Sequence, residues 1–206
     1  MDDLYKTYRV ELQFRNGIAG SMPLEPHLID AHIDKYAHDV SNALKAGKKK
    51  EGAVSEEAIA AYKRCATSIF RMDDEGRPYL RDFQVCAMML KASRVMGQWG
   101  SKGGLLATTI QDGGVIPDER ILVSGEFTLS ERPVAPMAAR GGRQPSIAVF
   151  EVVNNGKAAF DLQVIKNDAL PDELLKRIWK VAENTGLGGF RHLGYGKFNV
   201  TKLKAV

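Results

Sequence analysis

The order of periodicities along this 206-residue chain predicts an α+β fold with one antiparallel sheet. Three observations carry that expectation. Alternating apolar and polar residues open the chain at Lys6 to Arg15, helical periodicity follows, and alternation returns from Arg120 onward. A helical pattern then separates the returning strands from a last strand. Where that helix gives way to that strand lies a loop of paired glycines, Gly186 to Gly196.

In the first strand Tyr8, Val10, Leu12 and Phe14 alternate with Arg9, Glu11, Gln13 and Arg15, so one face goes to the core and the other to water. After the turn-like stretch Asn16 to Pro23, a helix is predicted from Pro26 to about Ala46. Pro26 suits a first helical position, and Leu28, Ile29, Ile33, Tyr36, Val40 and Leu44 form the apolar stripe. Gly47 ends it, and Lys48 to Lys50 read as solvated charge in a loop. A second helical layer follows over residues 55–98, with Ser55-Glu56-Glu57 as an N-terminus, Ile59, Tyr62 and Ile69 on a buried side, and a break at Asp73 to Pro78. A further helix covers about Leu80 to Met96, and Gly97 to Gly104 and Gly113-Gly114 mark loops. Residues 48–116 therefore read as a helical insertion into a single domain whose frame is 6–47 and 120–203.

Ile121, Val123, Phe127 and Leu129 mark the first returning strand, and Ile147 to Val153 a second. The turn Asn154-Asn155-Gly156 joins the latter to Ala158 to Ile165, a hairpin signal. Pro171-Asp172-Glu173 opens a helix that buries Leu174, Leu175, Ile178 and Ala182 and stops at Gly186; Phe198 and Val200 belong to the last strand. One of the three strands between 120 and 165 is extra, and the sequence leaves open which. In either case the frame runs strand, helix, two antiparallel strands, helix, strand, the split βαβ order of a ferredoxin-like (RRM-like) fold.

Composition narrows the classes. With 44% hydrophobic and 26% charged residues the chain has the make-up of a soluble globular protein. No apolar run approaches the length of a membrane span, and Met1-Asp2-Asp3 does not resemble a signal peptide, so a cytoplasmic protein without a membrane partner is expected. Cys65 and Cys86 alone make neither a disulfide framework nor a cysteine zinc site, and they read as buried thiols. A net charge of +4 permits a polyanionic partner without demanding one.

The loop Gly186-Leu187-Gly188-Gly189-Phe190-Arg191-His192-Leu193-Gly194-Tyr195-Gly196 carries the most chemistry. Glycine tolerates positive φ and lets backbone approach a ligand, so successive amides could converge on one anion while Arg191 and His192 add charge. The competing reading is that the glycines only let the loop pack against the sheet. A dinucleotide fingerprint is excluded: the sixth position of the Gly-x-Gly-x-x-Gly is Arg191, and the loop follows a helix and feeds a strand rather than the reverse.

Gly186-Leu187-Gly188, then Gly189 to Leu193, then Gly194-Tyr195-Gly196, between the final helix and the final strand, resembles the signature of the repeat-associated mysterious protein (RAMP) superfamily of CRISPR systems. The match is close from that helix onward; elsewhere it rests on element order. That resemblance implies RNA binding, since the superfamily divides into subunits that coat a guide RNA and endoribonucleases that process it. A single frame with an insertion is more similar to the coating subunits, and Phe14 to Pro26 weakly resembles solitary RAMP-like proteins of phages and prophages. The implied partners are single-stranded RNA, with single-stranded DNA left open, and a homo-oligomer or larger ribonucleoprotein assembly.

The candidate nucleic-acid contacts are Gly186, Gly188, Gly189, Arg191, His192, Gly194, Gly196 and Lys197 in the loop. Arg132, Arg140 and Arg143, in a Pro- and Gly-broken segment from Arg132 to Gln144, are a second set. That segment reads either as a counterpart of the hairpin that crosses the guide in coating subunits or as a solvated connection. Trp99 beside Lys102 could stack on a base, or could simply close the core. Stacking on the sheet is not expected, because its outward positions (Arg9, Glu11, Gln13, Arg15, Asp161, Gln163) hold no aromatic platform.

Two other function classes stay open. A metal-independent endoribonuclease would use His27 or His32 to deprotonate a ribose 2′-hydroxyl, with Lys35 or Tyr36 assisting. His27 and His32, however, lie about 140° apart around a helix and His38 further round, so plain surface histidines are the simpler reading and no catalytic residue is expected. The other class is a protein that keeps the fold and mimics a CRISPR subunit. No metal or cofactor is expected: no His-x-x-x-His spacing occurs, and Asp73-Asp74-Glu75 before Gly76 reads as a turn.

Overall fold

The computed structural model describes residues 4–23, 68–98, 103–134 and 146–206. The predicted helices at 26–46 and from residue 55, Lys48 to Lys50, and Cys65 lie outside these residues. The chain divides into two compact units, 1–19, 71–127 and 153–206 in the first and 20–70 and 128–152 in the second. Labels below number the described elements in chain order, with β2 at Ile18–Ala19.

In the first unit β1 (Tyr5–Phe14) lies between two antiparallel neighbours, β10 (Phe198–Ala205) and β9 (Ser146–Ile165). The sheet order continues through β8 (Arg120–Val134) and β6 (Pro78–Arg81) to β5 (Arg71–Met72). A short β7 (Val115–Pro117) also pairs antiparallel with β9, Val115 opposite Val164. The expected alternation on β1 holds: Tyr8, Val10, Leu12 and Phe14 are buried and their registered partners Leu162, Phe160 and Phe198 are buried with them.

That face is covered by helices. α3 (Asp172–Thr185) buries Leu175, Ile178, Trp179 and Ala182, the i, i+3, i+4, i+7 stripe of a helix lying on a sheet. The Trp179 ring stands 6.2 Å from both Phe160 and Phe198, and Phe198 meets Phe14 edge-on at 6.1 Å. Packing of this kind places the largest aromatic groups at the centre, each worth about 1.5–3 kcal/mol in burial.

α1 (Asp82–Val95) packs against α3 and buries Val85, Met88, Met89 and Ala92. The Gln84 side chain accepts from the Arg81 amide at its start. At its end Gly97, at φ 71°, lets the Gln98 amide reach back to the Ser93 carbonyl in a Schellman closure. Half-buried Cys86 faces the Val115 carbonyl, and burial pushes its thiol up to about 11, so it stays protonated at neutral pH.

The structure departs from the sequence reading at several places. Asn154-Asn155-Gly156 is not a hairpin turn: β9 runs unbroken through it, with Asn155 in the left-handed region at φ 50°. The motif instead makes a kink inside a long strand, where Gly156 leaves room for the Phe14 ring and Gly125 for the Asn154 carbonyl. The two expected strands at 147–165 are thus one. Ile69 is on a strand, β4 (Ser68–Ile69), rather than a helix. Residues Gly103–Gln111 form helix α2, despite two opening glycines, because Leu106, Ala107 and Ile110 find burial. Phe127 and Leu129 are exposed, at 44% and 56%, although in phase with buried Ile121 and Val123; the in-out pattern stops at Gly125.

The Asp73 to Pro78 break is a turn, as expected. The Asp73 carboxylate accepts from the Glu75 and Arg77 amides and the Arg77 guanidinium, and the Arg77 amide foremost holds it below the usual carboxylate range.

In the second unit, β3 (Met22–Pro23) pairs antiparallel with β4, and Ser68 lies parallel to Phe150 of β9. Glu151 receives the Gly20 amide on its carbonyl and the Phe70 amide on its buried carboxylate, at 2.9 and 2.7 Å.

Candidate nucleic-acid interface

The glycine loop begins at the C-cap of α3, where Gly186, at φ 75°, donates its amide to Ala182. Three more glycines, Gly188, Gly194 and Gly196, take φ of 74°, 93° and 73°, and Phe190 joins them in the left-handed region. The chain needs these angles because the loop is drawn onto its own stem. Leu187 donates to the Gly196 carbonyl, Gly196 to Gly17 and Gly189 to Ala19, each at 2.9 Å. A Cβ on Gly196 would sit 1.7 Å from the Leu187 carbonyl oxygen, and one on Gly188 would sit 2.5 Å from that of Ala19.

The amides expected to converge on an anion are therefore largely turned inward. Those of Leu187, Gly189, Leu193, Gly194 and Gly196 all donate to carbonyls of the protein. What the loop offers to solvent is its tip, the short 3-10 turn Arg191–Leu193, with Arg191 and His192 exposed and the His192 ring 6.0 Å from that of Phe190. Lys197 is half-buried at the foot of the loop. The signature brings Arg191, His192 and Lys197 to one end of the unit, but by side chain rather than by a ring of amides.

Beside the loop, Glu183 in the last turn of α3 ties helix to sheet. Its carboxylate accepts from Lys180 at 2.8 Å and from the Val200 amide at 3.1 Å, with Arg15 at 3.6 Å. Burial alone would raise its pKa; the Lys180 and Val200 hydrogen bonds outweigh it and hold the carboxyl below its ordinary value. At the other end of α3, Asp172 takes hydrogen bonds from Lys6 and Tyr8, which lowers its pKa and pins the helix start to β1.

Arg132 is exposed on β8 in the second unit. Arg140, Arg143, Trp99 and Lys102 lie outside the described residues, as do His27, His32, Lys35, Tyr36 and His38 of the endoribonuclease reading.

The opposite face of the first unit's sheet carries no described helix and adds Tyr79, Leu122 and Lys157 to the outward positions Arg9, Glu11, Gln13 and Asp161 expected from the sequence. Register places Lys204, Arg9 and Asp161 in one row, Lys202, Glu11 and Ala159 in the next, and Asn199, Gln13 and Lys157 in a third. Leu122, Ser124, Gln13, Lys157, Ala159 and Thr201 line a shallow groove of about 520 Å³ on it. Leu122 is registered opposite Tyr79 on β6, whose ring lies 5.7 Å from the Arg120 guanidinium. Tyr79 is hidden in the sequence because it falls between the break predicted at Asp73 to Pro78 and the helix predicted from about Leu80, where the structure has the strand β6. In the structure Tyr79 is half-buried and Leu80 buried, the alternation of a short strand.

No family model matches the sequence, and no curated protein matches it. A solved structure does. A chain in the cryo-EM structure of the Type III-B Cmr-beta bound to cognate target RNA superposes with a TM-score of 0.59 at 13% identity, over 98% of this chain and 61% of that one. The two chains share a fold. This chain spans about three-fifths of the length of its structural relative. Among the described residues no helix is long and apolar enough to cross a membrane.

Proposed function

We propose that this chain is a RAMP-like protein that binds single-stranded nucleic acid, RNA foremost, as part of a CRISPR-type ribonucleoprotein. The observation that carries the reading is the fold shared with a chain of an RNA-bound Cmr structure, with the glycine signature at the same kind of junction the superfamily uses, between last helix and last strand. The order β10-β1-β9-β8, all antiparallel neighbours where registered, supports a ferredoxin-like frame with those four strands. In this frame α3 is the second helix and α1, packed against it, takes the place of the first. That assignment moves the insertion from residues 48–116 to residues 20–70 and the far parts of β8 and β9.

Contacts to sugar-phosphate then come from Arg191, His192 and Lys197 at the loop tip and foot and from Arg132, Arg140 and Arg143, side chains rather than loop amides reaching the anion. The glycines serve by holding that tip. A labelled single-stranded RNA should bind the purified chain with an affinity that falls steeply as salt rises. Arg191→Glu together with Arg140→Glu should weaken binding by about tenfold or more, since each reversal removes one phosphate contact and adds a repulsion. Absence of any salt-sensitive RNA binding at low ionic strength would overturn the reading.

A further inference from the structure

We infer that the face of the first unit's sheet that carries no described helix is a second contact surface for single-stranded RNA, in which a base stacks on Tyr79 and the phosphate backbone crosses the strands toward Lys204. The inference rests on the RNA-binding reading and adds to it a surface with no glycine loop in it.

Charge supports it first. Arg9, Arg120, Lys157, Lys202 and Lys204 share this part of the unit with Glu11, Asp118 and Asp161. Arg9 is paired with Asp161 and Lys202 with Glu11, both at 2.9 Å, which removes two cations from the count. Lys157 and Lys204 are exposed and have no ion pair among the described residues. Arg120 stands over the Tyr79 ring instead of over a carboxylate. A face with two of its three acids already ion-paired, and with Lys157 and Lys204 unpaired among the described residues, suits a polyanion better than a neutral peptide.

Shape and chemistry agree. Tyr79 and Leu122 sit directly across from each other, and Ala159 and Leu122 give the adjoining groove an apolar floor. Bases stack on such aromatic and apolar patches whatever their identity. The Arg120 guanidinium already occupies one position a base would take beside that ring, and it adds a cation to the same spot. The hydroxyls of Ser124 and Thr201 donate to the Lys157 and Glu11 carbonyls, which leaves their oxygens as acceptors for a ribose 2′-hydroxyl. From β6 to β10 is four strand spacings, about 19 Å, room for a short run of nucleotides.

The test uses the full chain and a fluorescein-labelled oligouridine, read by anisotropy at low salt, alongside Tyr79→Leu and the double variant Lys157→Glu, Lys204→Glu. Tyr79→Leu keeps an apolar side chain and should weaken binding at least fivefold, and the charge reversals at least tenfold with a smaller salt slope. Cross-linking of 4-thiouridine RNA to the unsubstituted protein, mapped to the peptide carrying Tyr79, gives the same answer without relying on a variant's folding. If the RNA binds, Arg191→Glu weakens it, and neither face variant changes it, the face is not a nucleic-acid surface while the RNA-binding reading stands. If no RNA binds, both fall. If the face variants instead turn a dimer into a monomer at unchanged RNA affinity, the surface belongs to a second copy of the chain and the inference is overturned.

Discussion

The glycine loop and the sheet face without a described helix lie in one unit and both present cations to solvent, yet they are built in opposite ways. In the loop, nearly everything the sequence specifies is backbone: four glycines at positive φ and inward-pointing amides that close Leu187 on Gly196, Gly196 on Gly17 and Gly189 on Ala19. On the face the backbone is an antiparallel ladder, interrupted by a register shift at Glu11/Leu12 and by left-handed Asn155 in β9, and the groups it offers to solvent are side chains. The difference teaches that a glycine signature next to basic residues is first a statement about how the chain folds back on itself. Whether it touches an anion depends on the few side chains its tip carries.

The sharpest way to break that contrast is Gly196→Ala. The added Cβ would lie 1.7 Å from the Leu187 carbonyl oxygen at a φ of 73°, so backbone must move on both sides of the loop. A loss of about 3 kcal/mol or more is expected in denaturant unfolding, well above the usual single-substitution effect. A variant as stable as the parent would mean the loop is not locked onto its stem, and its amides would again be available to a ligand.

The first strand, the last helix and the glycine loop's place in the chain were legible because each is a local pattern that tertiary structure reinforces. Tyr8, Val10, Leu12 and Phe14 alternate and are all buried. What the sequence could not convey was context. Asn154-Asn155-Gly156 has the chemistry of a tight turn, and a left-handed Asn before Gly serves equally well for a kink inside β9. Leu187 to Gly196 could point its amides outward or inward with the same glycines; only the positions of Gly17 and Ala19, distant in sequence, decide it. Tyr79 was lost because a four-residue strand between a turn and a helix is too short to show a period. Arg191, His192 and Lys197 can be named as candidates from the sequence, whereas the sheet face emerges only when the strand order sets β10, β1, β9, β8 and β6 in one sheet.

A smaller effect probes the scaffold behind the loop. Glu183→Gln keeps the shape but removes the charge that holds Lys180, the Val200 amide and Arg15. Stability at neutral pH should fall by about 1 kcal/mol, at the low end for a charged hydrogen bond because Lys180 remains in water. The folded-state pKa of Glu183 is lowered, so its contribution is present above the unfolded carboxyl value, near 4.3, and is lost as pH falls through the folded value. Unfolding curves of parent and variant should therefore converge in acid. A gap that persists at low pH would assign the loss to packing rather than charge.

The smallest expected effect is on the face. Lys157→Ala and Lys204→Ala remove exposed cations that have no ion pair among the described residues, so each should shift stability by no more than about 0.5 kcal/mol. Removing Lys204 even relieves repulsion from Arg9, its registered neighbour on β1. Near-silence in thermal melts is what the comparison requires, because charges kept where they contribute nothing to folding are free to serve a partner. If either alanine lowered the melting temperature as much as Glu183→Gln, the face would be a stabilising charge network. The loop and the face would then differ only in which part of the chain does the holding.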